Sequence, residues 1–136
     1  MENLKFSIII PVYNQAKFIG ETIKSVLDQT YSNYELIIVN DGSTDNSKGI
    51  VSSFKDPHIH YLELERNKGE QAARNAGIRA SEGDLIAHLD ADDLFHPQIE
   101  RLQKLGLLEW TGTQSDVLRL TQRGRLLGNQ VFVEFI

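Results

Sequence analysis

Asp90, Asp92 and Asp93 place three carboxylates within four residues, directly after the apolar run Leu85-Ile86-Ala87-His88-Leu89. Bounded in front by Gly83-Asp84, that run reads as a buried strand. If the backbone stays extended beyond it, Asp90 and Asp92 point to the same side. Two anions held so close repel unless a cation lies between them, and hard carboxylate oxygens suit Mg²⁺ or Mn²⁺. Magnesium-type ions complete their shell with water and substrate phosphates, so the local chemistry is that of a metal–diphosphate site. The alternative is a solvated turn, or the cap of a helix opened by Pro97. A short Asp motif does not by itself separate the two.

The elements upstream supply the context. Phe6–Val12 is a β-branched run with little alternation, as in a parallel strand buried on both faces, and Pro11, unable to donate to a ladder, should end it. Asn14 is a candidate N-cap for a helix over residues 16–29, where Ile19, Ile23, Val26 and Leu27 form one apolar face. A second strand, residues 34–40, runs into Asp41-Gly42-Ser43-Thr44-Asp45. There Gly42 permits a tight turn, and Ser43 or Thr44 is expected to cap a short helix carrying Ile50, Val51 and Phe54. Residues 59–63 form a third strand, Arg66-Asn67-Lys68-Gly69 a loop, and residues 71–80 a helix rich in alanine. Its small residues (Ala72, Ala73, Ala76, Gly77, Ala80) allow close approach to a sheet or a ligand. Residues 85–89 make the fourth strand. This alternation predicts an α/β fold with right-handed crossovers.

Three strand ends therefore carry polar residues: Tyr13-Asn14, Asp41-Gly42-Ser43 and Asp90-Ala91-Asp92. Ligands of open parallel sheets sit outside the carboxyl ends of the strands, so convergence of the three is more specific than any one. Neither GxGxxG nor GxxxxGK[ST] occurs, which removes the standard dinucleotide and P-loop readings.

At 136 residues the chain can bury one real core, and its net charge of −5 argues against a nucleic-acid partner. With no cysteine, disulfides, thiolate zinc sites and thiol nucleophiles are excluded. No run approaches the roughly 18 apolar residues of a membrane span and no signal-peptide pattern is visible. A soluble, cytoplasmic protein is the default expectation.

Ile8-Ile9-Ile10-Pro11-Val12-Tyr13-Asn14, Val39-Asn40-Asp41-Gly42-Ser43-Thr44-Asp45, Asn67-Lys68-Gly69 with Ala73-Arg74-Asn75-Ala76-Gly77, and Leu89-Asp90-Ala91-Asp92-Asp93 occur in that order. Together, over about residues 4–104, they resemble the family 2 glycosyltransferases. The resemblance implies the GT-A fold (nucleotide-diphospho-sugar transferase, Rossmann-like): three layers around a mostly parallel sheet. It also implies a nucleotide-diphosphate sugar donor, often a UDP-sugar, bound with Mg²⁺ or Mn²⁺. Carried over by motif, Pro11, Val12 and Tyr13 line the base pocket with Tyr13 stacked on the ring, and Asp41 accepts a hydrogen bond from the base. Asn67 and Lys68 lie by the nucleotide, with Arg74 assisting. Asp90 approaches the ribose or the metal, and Asp92 is the metal ligand of the DxD motif. Lys68 and Arg74 are as readily explained as solvated charges, while His88 and His96 have no role in the motif.

The family's second half, which supplies the acceptor pocket and a carboxylate general base, has no counterpart after about residue 105. Glu109, Asp116 and Glu134 lack the context of that base, so the catalytic base is unassigned. The expected organisation is an incomplete nucleotide-sugar-binding domain over 1–105 and a tail over 106–136. In the tail, residues 106–110 and 117–121 read as a β-hairpin and Thr121 as the cap of a helix. Residues 118–135 resemble the C-terminal end of radical SAM coproporphyrinogen oxidase-like proteins, whose iron–sulfur chemistry this cysteine-free chain cannot perform. A chimeric or truncated reading frame accounts for both likenesses; a native cap is the alternative. A homodimer or another chain could cover apolar surface left open. Two functions follow: a metal-dependent transferase of sugar to an unknown acceptor, or a nucleotide-sugar binding module without turnover.

Overall fold

The computed structural model describes residues 4–93 in full, together with the backbone of 108–111 and 117–120. Four strands, β1 (Phe6–Val12), β2 (Tyr34–Asn40), β3 (Ile59–Glu63) and β4 (Leu85–His88), alternate with three helices, α1 (Ile19–Leu27), α2 (Ser47–Ser53) and α3 (Glu70–Ala80). The strands form one sheet in the order β3-β2-β1-β4, and every pairing is parallel. Phe6 is the register partner of both Tyr34 and Leu85, so β1 sits between the strand that follows it and the last strand of the sheet.

All seven residues of β1 and all seven of β2 are buried, which explains their unbroken apolar runs. Alternate side chains serve two faces. Ile8, Ile10, Leu36 and Ile38 pack with Ile19, Ile23 and Val26 of α1 and Val51 of α2. Ile9, Ile37 and Val39 pack with Ala73 of α3 on the other side. The result is the expected three-layer α/β arrangement. Each fully buried isoleucine or leucine contributes about 1.5–3 kcal/mol of hydrophobic stabilisation before entropy is counted.

Polar groups close the end of the sheet away from the acidic motif. The Glu35 carboxylate, almost fully buried, accepts hydrogen bonds from Ser7 Oγ (2.5 Å), the Glu82 amide (2.7 Å) and Lys5 Nζ (3.1 Å). The Gly83 amide donates to Ser7 Oγ at 2.8 Å, tying the approach to β4 onto β1.

Several local expectations are corrected. Pro11 does not end β1: the pairing with β2 continues through Pro11–Val39 to Val12–Asn40, while β4 pairs with β1 only as far as Ile9–His88. Asn14 does not cap α1: its backbone is left-handed (φ 51°), and the helix begins only at Ile19 after a turn closed by Phe18 and Ile19 amides on the Gln15 carbonyl. Ser43 and Thr44 do not cap α2, which starts at Ser47 behind Asn46; their groups bond instead to Asn14.

Beyond residue 93, β5 (Leu108–Thr111) pairs antiparallel with β6 (Val117–Leu120) in a separate two-stranded sheet, as the hairpin reading expects. The helix expected from Thr121, His96, Pro97 and most of the stretch that resembles coproporphyrinogen oxidase-like proteins lie outside the described residues. Among the described residues, no helix is long and apolar enough to cross a membrane.

Candidate functional site

A chain that winds outward from β1 through β2 to β3, then crosses to β4 on the other side, leaves a crevice where the loops after β1 and β4 diverge. A cleft of about 370 Å³ lies at these carboxyl ends, within the range of small-molecule sites. It is lined by Pro11, Val12, Tyr13 and Gln15 after β1, Asp41 after β2, Asn67, Gly69 and Glu70 after β3, and Asp90, Ala91 and Asp92 after β4.

Backbone ladders continue past the strands to fix these loops. The Asp41 amide donates to the Val12 carbonyl (2.8 Å), and the Leu89 amide to the Ile9 carbonyl (3.0 Å). Asp41 is 2% exposed and its two carboxylate oxygens accept the Lys68 amide (2.7 Å) and the Gly69 amide (3.0 Å). One buried carboxylate thus orders the loop that enters α3, and the same residue lines the cleft. Gly42 has φ 71°, and a Cβ there would sit 2.6 Å from the Asn67 nitrogen, so only glycine lets these two loops touch.

The acidic motif is brought together by a turn, not by the extended chain expected from alternation. β4 ends at His88, and the Asp93 amide closes back on the Asp90 carbonyl (3.0 Å). Thr22 Oγ1 of α1 donates to the Ala91 carbonyl (2.7 Å), which pins the turn to the helix layer. One oxygen from each of Asp90, Asp92 and Asp93 lies within 4.8 Å of the others. An all-oxygen carboxylate set on an exposed turn fits a hard divalent cation such as Mg²⁺ or Mn²⁺.

The nearby positive charge is Arg74 on α3. Its Nη2 bonds Asp90 Oδ1 at 2.9 Å and Glu70 at 2.5 Å, four residues back on the same helix. His88 ends β4, and its imidazole is held below the usual histidine range by burial and by the Arg74 charge, with Asp90 offsetting them.

The structure therefore gathers Pro11, Val12, Tyr13, Asp41, Asn67, Asp90 and Asp92 around one cleft, whereas Lys68 and Arg74 are not among its lining residues. Lys68 contributes its backbone amide to Asp41 and its side chain is exposed; Arg74 contacts Asp90 from the helix. Gln15, Gly69, Glu70 and Ala91 also line the cleft and were not singled out by sequence reasoning. For three of them the signal is positional: Gly69 follows Lys68, Ala91 lies between Asp90 and Asp92, and Gln15 follows the motif residue Asn14, whereas Glu70 adjoins no candidate.

The family model for glycosyl transferase family 2 matches residues 7–108, all four strand ends included. The chain belongs to glycosyl transferase family 2. An uncharacterized glycosyltransferase of Rickettsia bellii is 44% identical over 102 residues, which cover 74% of this chain and 15% of that protein. The Escherichia coli UDP-Glc:alpha-D-GlcNAc-diphosphoundecaprenol beta-1,3-glucosyltransferase WfgD is 42% identical over 95 residues, 70% of this chain and 38% of that enzyme. Among solved structures, S. aureus TarS 1–349 in complex with UDP superposes with a TM-score of 0.68 at 29% identity, covering 76% of this chain and 32% of that one. The fold of this family 2 member is accordingly the α/β GT-A fold. It spans well under half the length of these relatives.

Proposed function

We propose that this chain forms the donor-binding part of a metal-dependent glycosyltransferase whose donor is a nucleotide-diphosphate sugar, with uridine as the nucleoside. The observation that carries the reading is the meeting of Tyr13, Asp41 and the Asp90–Asp93 turn at one cleft at the switch point of the sheet. Tyr13, 44% exposed, offers its ring to a base, and a carboxylate beside it suits the N–H of uracil. Asn67 borders the same space, and Asp90, oriented by Arg74, faces the ribose or the metal. Asp92 is the principal metal ligand, with Asp90 completing the pair. Bound Mg²⁺ or Mn²⁺ would supply neutralisation of charge growing on the departing diphosphate. The relative named for UDP-Glc and the TarS complex with UDP support the choice of nucleotide.

Sugar transfer also needs an acceptor pocket and a group that takes the acceptor proton. Of the carboxylates considered for that base, Glu109 stands on β5, while Asp116 and Glu134 lie outside the described residues. The small share of each relative that the chain spans favours a second reading, a nucleotide-sugar binding module without turnover. In both, residues 1–105 are the binding domain and 106–136 a separate tail, a division supported by the pairing of β5 with β6 in a sheet of their own.

Calorimetric titration with UDP and with UDP-sugars, with and without Mn²⁺, alongside a donor hydrolysis assay, tests these readings. Metal-linked binding with turnover supports the transferase, and binding alone supports the module. Absence of metal-dependent UDP binding rejects both. Asp92→Ala should remove the metal-linked part of the affinity and leave the melting temperature unchanged; intact metal dependence in that variant would overturn the assignment of Asp92.

A further inference from the structure

Tyr13 is exposed, so little packing fixes its ring; its place over the cleft depends on the main chain beneath it. That main chain is fastened to the loop after β2. The amides of Asn14, Gln15 and Ala16 donate in succession to Ser43 Oγ (3.0 Å), Ser47 Oγ (3.1 Å) and Asp45 Oδ2 (2.9 Å). In the reverse direction, Asn14 Oδ1 accepts the Thr44 amide (2.8 Å), the Thr44 hydroxyl (3.3 Å) and the Asp45 amide (3.3 Å). Asn14 is also the only non-glycine residue with positive φ among the described residues. Asparagine tolerates that conformation better than other side chains, and its amide oxygen serves as the acceptor the opposing amides need. Asp45 in turn is held by the Ser47 amide and hydroxyl.

We infer that Asn14 is a positioning residue: it latches the loop after β1 to the loop after β2 and so sets Tyr13 and Asp41 at a fixed separation across the cleft. The inference rests on the reading of the cleft as a nucleotide site and adds a specific device to it. Asn14 touches no reacting group and acts through Tyr13.

The test uses the full chain, the single variants Asn14→Gly, Asn14→Asp and Tyr13→Ala, and the double variant Tyr13→Ala/Asn14→Gly. Asn14→Gly accepts the left-handed backbone without strain but removes the acceptor, and Asn14→Asp keeps an acceptor at the same place. Amide hydrogen exchange of the ligand-free protein is read at Gln15 and Ala16, whose own bonds do not involve the Asn14 side chain. Asn14→Gly should accelerate exchange at both and weaken UDP binding about tenfold by leaving the loop to be ordered on binding. Asn14→Asp should restore both measurements. In a Tyr13→Ala background, Asn14→Gly should weaken UDP binding little further, a non-additivity that general loss of structure would not produce. Unchanged exchange at Gln15 and Ala16, no recovery in Asn14→Asp, or a full additional loss on top of Tyr13→Ala each overturns the inference. If the unsubstituted chain does not bind UDP, the nucleotide reading fails and the exchange measurement alone decides the latch.

Discussion

Arg74 reaches from α3 to Asp90 at the end of β4, with Nη2 2.9 Å from Oδ1. The guanidinium also holds Glu70, so one cation is shared between the helix start and the acidic turn, both of which line the cleft. It steadies one carboxylate of a mutually repelling set and leaves Asp92 and Asp93 to face solvent. The pair is part-exposed, with side chains 25% and 42% accessible, so screening reduces its worth to about 1 kcal/mol. Arg74→Ala should therefore weaken UDP binding about fivefold. Calorimetry checks this, and unchanged affinity would mean that the turn orients Asp90 unaided.

Asp41→Asn should cost more than its size suggests. The carboxylate accepts two backbone amides, whereas an amide side chain presents a donor at one of those positions. A buried N–H facing another N–H should destabilise the chain by about 1–3 kcal/mol, measurable by urea denaturation. The same variant should loosen residues 67–69 and lower UDP affinity with them.

Among the carboxylates, acid should act first through Glu35. Burial pushes its carboxyl up, but the Ser7 hydroxyl, the Glu82 amide and Lys5 together outweigh that and hold it below its ordinary value of 4.5. A carboxylate lowered in the folded state adds stability that is complete above its unfolded value and fades as pH falls toward the folded one. Asp45, where hydrogen bonds from Ser47 and Ala16 outweigh burial, and Asp56, held by the His58 amide against burial, are shifted the same way. Unfolding free energy should begin to decline as pH falls below about 6.5, where the unfolded chain protonates His88 before the folded one does, and decline further below 4.5 as the carboxylates follow. Glu35→Gln should be less stable at pH 7 and show a shallower decline; an unaltered slope would assign the acid sensitivity elsewhere.

Gly77→Ala sets two effects against each other. Alanine gains about 1 kcal/mol of helix propensity over glycine. At Gly77, however, a Cβ would lie 2.5 Å from Ile9 Cγ2, and overpacking of a filled core costs about 1–3 kcal/mol. The steric term should win and the melting temperature should fall. A rise would mean that Ile9 turns aside freely.

The strands were legible because their chemistry is extreme: β1 and β2 are buried on both faces and carry no competing period. The convergence of Tyr13, Asp41 and Asp90 followed from the rule for parallel sheets, which needs only strand ends. What escaped was set by bonds between distant loops. Asn14, Ser43 and Thr44 have capping chemistry, and nothing local shows that they satisfy one another instead of the nearest helix. Similarly, Arg74 reads as a solvated helix charge until α3 is laid beside the end of β4. The turn at Asp90–Asp93 overrides alternation because the Asp93 amide finds an acceptor only three residues back.

The central place of β1 has a consequence for synthesis on the ribosome. Of the four strands β1 is made first, acquires β2 early, and waits for Leu85–His88 before its second ladder, along Phe6 to Ile9, can form. Until then one edge of the most apolar strand stays bare, and the loops that frame the cleft have no fourth wall. Ligand competence should arrive abruptly once β4 has been made, so a nascent chain stalled before it would expose a sticky half-sheet instead of a weaker version of the site.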